Sequence, residues 1–109
     1  MFTKSRLREK VTPFARRFRG IAHIHRLSIL YLLAYLPHEV YQIVEATGLP
    51  ENLVSHNLKQ LYTSGWVLRT KTGRNITYKL NEKAFFELER FVADTPFSRD
   101  VLSKYKREI

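Results

Sequence analysis

Asn52, Ser55, His56 and Lys59 are short polar or cationic residues at intervals of three, one and three within the run Glu51 to Thr63. On a helix that spacing gathers them on one side together with Thr63, with Gln60 at its margin. Their chemistry suits the edges of nucleic-acid bases. Asparagine can pair bidentately with adenine, serine and histidine can donate or accept, and lysine can reach guanine or phosphate. Four cations follow, Arg69, Lys71, Arg74 and Lys79, with no carboxylate among the eleven residues they span. A cationic finger beside such a helix suits a polyanion backbone, and Arg74 at its turn is the first candidate. An ordinary solvated helix face, and strand lysines that merely discourage edge pairing, are the blander accounts of the same residues.

These side chains need a scaffold, and residues 40–80 supply its pattern. Ile43, Val44 and Ala46 give a first helix an apolar side, and Gly48 stands where a chain leaving a helix needs positive φ. Pro50 at the first position of a second helix and Glu51 just inside it are a start signal. In that helix Val54, Leu58 and Leu61 recur at i, i+4 and i+7, opposite the polar set, with Asn57 nearer the packed side. Gly65 closes it. Val67 to Lys71 and Asn75 to Leu80 then read as β-prone runs around Thr72-Gly73-Arg74, a hairpin. Residues 40–64 are thus expected to form a helix-turn-helix and residues 66–80 a wing.

The order Gly48-Leu49, Val54-Ser55, Leu58-Lys59, Leu61, Gly65-Trp66-Val67, Gly73-Arg74 and Tyr78-Lys79-Leu80 resembles the winged-helix repressors of the ArsR type. So does the upstream segment His25-Arg26-Leu27-Ser28-Ile29-Leu30, and the register holds over residues 22 to 92. The resemblance implies a homodimeric transcriptional repressor whose second helix enters the major groove, whose wing reaches the minor groove and backbone, and whose first and last helices form the dimer interface. It departs from the family pattern at Pro50, where a serine cap is common, at Asn57, where histidine is common, and in lacking every metal-binding cysteine.

The 109 residues suffice for one domain with a modest core, and 44% hydrophobic with 27% charged residues are globular values. Nineteen Lys plus Arg against ten Asp plus Glu give +9, which favours a polyanion, either nucleic acid or an anionic membrane surface. The longest apolar run, Leu27 to Leu36, holds ten residues, half of the roughly 20 that cross a bilayer. It lies too far from Met1, with Pro37-His38-Glu39 after it, for a secretory signal. A cytoplasmic protein with no membrane partner is the expectation.

Residues 1–20 form a basic arm. Leu7, Val11, Phe14 and Phe18 make an apolar stripe, but Thr12 as cap and Pro13 at a first helical position restrict the expected helix to Pro13–Arg19, ended by Gly20. Its Arg16, Arg17 and Arg19 are either a solvated face or an arm for phosphate or membrane. Ala22 to Leu36 should form a core helix, apolar almost all round toward its end, stopped by Pro37. His23 and His25, two apart on it, should point about 200° away from each other and share no metal. Over residues 81–109, Asn81 should cap a helix to about Ala93, and Ser98 with Asp100 should open a last helix bearing Val101, Leu102 and Tyr105. Asp94 to Phe97 and the residues around Gly20 are the linker candidates.

The expected fold is mainly α with a β-hairpin wing, one winged helix-turn-helix domain over 1–109, dimerising through its N- and C-terminal helices. Phe14, Phe18, Phe85, Leu88, Phe91 and Val92 are the expected interface, with packing onto their own monomer as the alternative. The expected partners are double-stranded DNA and a second copy. No glycine loop for phosphate, no paired carboxylates beside a histidine and no cysteine support an enzyme, and neither a cofactor nor a metal is expected. No effector is assigned. Tyr31, Tyr35, Tyr41 and Tyr62 read as core edge rather than pocket. The alternative function is a protein-interaction module in which the winged fold docks on another protein and nucleic acid is secondary.

Overall fold

The computed structural model describes residues 2–93 and 95–108. Met1, Ile109 and Asp94, the first residue of the expected second linker, lie outside the described residues. In chain order the elements are α1 (Lys4–Ile21), α2 (Ile24–Leu33), β1 (His38–Glu39), α3 (Val40–Thr47), α4 (Glu51–Thr63), β2 (Val67–Thr72), β3 (Asn75–Leu80), α5 (Glu82–Ala93), a π-helical turn (Ser98–Leu102) and α6 (Ser103–Glu108).

The helix-turn-helix is built as its sequence dictates. Gly48, at φ 71°, donates its N–H to the Val44 carbonyl and ends α3, a conformation costly for any side chain with a Cβ. Pro50 is the N-cap of α4 rather than its first residue, offering its carbonyl to the N–H groups of Leu53 and Val54. Val54, Leu58 and Leu61 are wholly buried, each worth about 1.5–3 kcal/mol of transfer free energy. At the far end Trp66 N–H bonds the Leu61 carbonyl and Gly65 N–H the Tyr62 carbonyl, a Schellman closure made possible by φ 87° at Gly65. The hairpin turn is only Gly73-Arg74, with positive φ at Gly73 alone, so β2 gains Thr72, which pairs with Asn75.

The core joins Ile29, Leu30 and Leu33 of α2 to Ile43, to the underside of α4, and to Trp66, Val67, Tyr78 and Ala84. Trp66 is the central tie. Its indole N–H donates to the Arg17 carbonyl at 2.6 Å, and its ring lies 6.3 Å from Phe18 and 5.2 Å from Phe85. One ring thereby holds α1, the end of α4 and α5 together.

Several expectations are corrected. The first helix runs from Lys4, capped by Thr3, straight through Pro13. The missing proline N–H is tolerated, and the Thr12 hydroxyl donates to the Arg8 carbonyl at 2.6 Å instead of capping a new helix. Gly20 is no linker; it lies in the last turn of α1, where a Cβ would stand 2.1 Å from Ser64 Oγ and 2.3 Å from Ser64 Cβ. Close approach to the end of α4, not chain termination, is its role.

Helix α2 starts at Ile24 because His23 is its cap, accepting the His25 N–H at Nδ1. The two imidazoles are therefore 4.9 Å apart rather than opposed, since an extended capping residue does not follow the helical period. Among the described residues no three His, Cys, Asp or Glu gather to hold a metal. The helix stops at Leu33, before a strand unseen in the sequence, β1, which pairs His38 with Tyr78 and Glu39 with Thr77 at the edge of a β1-β3-β2 sheet. Nor is α2 buried all round, as Ile24, Leu27 and Tyr31 are exposed, like Tyr35 just beyond its end, and on α3 Ala46 is exposed as well. The tyrosines stand outside the core: Tyr31 and Tyr35 share a hydrogen bond of 3.1 Å, which raises the Tyr35 phenol above its ordinary pKa.

Asn81 stands at the start of α5 as expected, its carbonyl accepting the Ala84 N–H at 3.0 Å, and its side-chain amide also donates to the Gly65 carbonyl at 2.9 Å, securing the wing's root. Past Asp94 the chain is helical rather than a linker: Arg99 N–H bonds the Thr95 carbonyl, and α6 follows the π-turn directly.

Replacing Gly20 by alanine should lower stability by about 1–3 kcal/mol, the usual cost of overpacking, despite alanine's better helix propensity. Thermal denaturation checks this, and Ser64→Gly in the same chain should restore most of the loss.

Candidate nucleic-acid interface

Helix α4 has thirteen residues, a length of about 20 Å at 1.5 Å per residue. Asn52, Ser55, His56, Lys59, Gln60 and Thr63 are all exposed. At 100° per residue they occupy an arc of about 140°, opposite the sealed side of Val54, Leu58 and Leu61. Asn57, 3% exposed, turns inward and donates its amide to the Leu53 carbonyl at 2.8 Å, so it is structural. Among the described residues none of the six outward side chains is hydrogen-bonded or ion-paired within the chain, and their donors and acceptors are open. The first turn of α4 has no side-chain cap, and with the Leu53 N–H on the Pro50 carbonyl it leaves the N–H groups of Glu51 and Asn52 open.

The hairpin does not unite its four cations. Antiparallel pairing places Arg69 opposite Tyr78 and Lys71 opposite Ile76, on the face that carries buried Val67. Lys79 pairs with Leu68 and projects from the other face. Arg74 occupies the turn. Arg69 is also engaged, its guanidinium carbon 4.1 Å from the centroid of the Tyr62 ring at the end of α4. This stacking was not foreseen from sequence, although Tyr62 sits one turn before the closing glycine and Arg69 two residues into the strand beyond it. It clamps the wing to the helix.

The six residues expected at a dimer interface divide. Phe14 stacks on Phe91 with centroids 4.1 Å apart, and Phe18 and Phe85 flank Trp66, so all four spend part of their surface within the chain. Phe85, Leu88 and Val92 share one side of α5, and Phe91 lies on another. An apolar surface missed in the sequence adjoins the first side. Ile24 (73% exposed), Leu27 and Tyr31 (69%) line a groove of about 820 Å³ that Leu80 and Phe85 complete.

This geometry has relatives. A model of the family described as bacterial regulatory protein, arsR family, matches residues 25–67. The homodimeric winged helix-turn-helix DNA-binding domain of Mb0332 from Mycobacterium bovis, a possible ArsR-family transcriptional regulator, is 32% identical with a TM-score of 0.67. That match covers 84% of this chain and 88% of the other. The chain belongs to the arsR family.

The HTH-type transcriptional regulator NmtR of Mycobacterium tuberculosis is 36% identical over 66 residues, 61% of this chain and 55% of that protein. This member of the arsR family thus spans about half the length of that curated relative. An ArsR-like transcriptional regulator from Rhodococcus sp. RHA1 shares the fold at a TM-score of 0.68 and 18% identity, over 89% of this chain and 86% of that one. The family is one of regulatory proteins, not of enzymes. Among the described residues no helix is long and apolar enough to cross a membrane.

If the Arg69 contact clamps the wing, Tyr62→Leu should lower stability by about 0.5–1 kcal/mol, the worth of an exposed cation–π pair. Urea unfolding should detect it, and the same substitution in an Arg69→Ala background should cost measurably less.

Proposed function

We propose that the chain is a homodimeric, sequence-specific double-stranded DNA-binding regulator that represses transcription from the cytoplasm by occupying an inverted-repeat operator. One observation carries the reading: the six outward residues of α4 are unpaired on an exposed arc whose reverse is sealed into the core. A helix held that way can enter a major groove with base-reading groups foremost. Asn52, Ser55 and His56 lie toward its N-terminal end, and the uncapped first turn can donate to a phosphate, offsetting the nearby Glu51. Arg74 at the wing tip and Lys71 behind it are assigned to the backbone. Lys79, on the opposite face of the hairpin, takes the blander role of solvating the strand.

Two copies of a chain carrying +9 repel one another, so they should meet where no charge is present. Ile24, Leu27, Tyr31, Leu80 and Phe85 line such a surface, and Leu88 and Val92 of the interface expected from sequence share the side of α5 that carries Phe85. A two-fold dimer would set the paired recognition helices about 34–36 Å apart, one turn of duplex.

The test is fluorescence anisotropy on duplexes selected from a random pool, with mass by light scattering. A dimer should select an inverted repeat. With about six to ten phosphate contacts, affinity should fall by about 10³–10⁵ between 50 and 200 mM salt. His56→Ala with Lys59→Ala should remove sequence preference while the dimer stays folded. Arg74→Ala should weaken binding and reduce the salt slope by about one, and Lys79→Ala should change neither. A monomer indifferent to every duplex would instead favour the protein-interaction module.

A further inference from the structure

Helix α2 has a second flank, turned toward the end of α3. Between the two lies an open groove of about 500 Å³, within the range of small-ligand sites. Ile24, Leu32, Ala46 and Leu49 give it apolar walls, and Tyr31 and Tyr35 add two rings set edge to face, 5.5 Å apart. Among the described residues no lysine, arginine or carboxylate lines it, although the chain carries 19 cations and ten carboxylates. Its hydroxyls are not equivalent. Ser28 Oγ donates to the Ile24 carbonyl and Thr47 Oγ1 to the Ile43 carbonyl, each at 2.7 Å, so both protons are spent within their own helices. The Tyr31 and Tyr35 oxygens lie 3.1 Å apart, and only one of their two phenolic protons can occupy that bond. The bond raises the Tyr35 phenol, as it does for the partner that donates, and the Tyr31 proton is left with no acceptor among the described residues.

We propose that this groove binds a neutral, flat aromatic ketone, its rings on Ile24, Leu32, Ala46 and Leu49 and its carbonyl oxygen on the Tyr31 hydroxyl. The lining selects the class by what it omits. A carboxylate or phosphate would be desolvated with no lysine or arginine to receive it, and an ammonium with no carboxylate. A plain hydrocarbon would cover the phenolic proton and leave it unpaired. A carbonyl oxygen satisfies that proton and brings no charge. None of the lining residues belongs to α1 or α5, the helices expected at the dimer interface. Ile24 and Tyr31 form a ridge along α2, with Leu27 and Leu30 on the Phe85 side of it and Leu32 and Tyr35 on this one, so copies joined on the Phe85 side do not occupy the groove. Thr47 ends α3 and Leu49 lies in the turn before Pro50, so an occupant stands against the junction that sets the entry of α4. The proposal does not depend on DNA recognition.

The experiment is fluorescence titration of the full chain with 6-propionyl-2-(dimethylamino)naphthalene, at about pH 8, above the ordinary imidazole range, so that His25 on the lining adds no charge. This neutral naphthyl ketone emits further to the blue when its carbonyl leaves water, and further still when the carbonyl loses every hydrogen bond. Binding should saturate at one per chain with a blue shift. Tyr31→Phe with Tyr35→Phe keeps both rings; it should weaken binding about two- to tenfold, the worth of one neutral hydrogen bond, and move the bound emission further to the blue. Ala46→Trp, at an exposed position of α3, should fill the groove and abolish saturable binding, with circular dichroism and light scattering confirming fold and mass. Absence of saturable binding, undiminished binding in Ala46→Trp, or unchanged affinity or bound emission in the phenylalanine variant each overturns the proposal. Loss of dimer mass in Ala46→Trp would assign the face to a second copy and overturns it too. DNA binding by the unliganded chain is measured separately, so failure of one reading leaves the other standing or falling on its own data.

Discussion

The burial of Val54, Leu58 and Leu61 is the constraint on which the architecture rests. Three wholly buried side chains at helical spacing fix the rotation of α4 about its own axis. Turning it by half would expose all three, at about 1.5–3 kcal/mol each, and bury Lys59 and His56 without partners. Position along the axis is fixed at both ends. Gly48 and Pro50 set the entry, and the Schellman closure at Gly65 delivers Trp66 directly to α1 and α5. The polar arc is thus presented by the whole core, not by local propensity, which is modest in a helix holding two asparagines and a serine.

That dependence explains what the sequence revealed. Gly48, Gly65 and Gly73 each require positive φ, so the punctuation of residues 40–80 was legible within a residue or so, as were the buried and outward faces of α4. What escaped was settled by distant partners. Pro13 reads as a helix start, yet α1 runs through it because packing along its length, with Phe14 on Phe91 and Arg17 on Glu87, outweighs one missing N–H. Asn81 reads as a helix start and is one, but its amide bond to the Gly65 carbonyl sixteen residues back has no signal in the sequence. The two-residue β1 has no period to detect and exists only because β3 offers an edge. Within the site, residue types announced the polar arc, whereas the division of the wing cations follows from strand register and the Arg69–Tyr62 contact from tertiary proximity.

Charge is distributed with the same logic. The +9 chain exposes large apolar side chains on α2, at Ile24, Leu27 and Tyr31, and on α1, at Leu7, Val11 and Phe18, and leaves cations on α1, the wing and the far side of α5. Trp66 links these regions, since its ring neighbours are Phe18 of α1 and Phe85 of α5.

The central claim is that the outward arc of α4 is the surface that meets duplex. Lysine acylation footprinting with mass spectrometry, on the chain alone and bound to its selected duplex, tests this most directly. Lys59 and Lys71 should lose reactivity on binding while Lys83 retains it. Undiminished reactivity of Lys59 in a complex that is otherwise saturated would contradict the account.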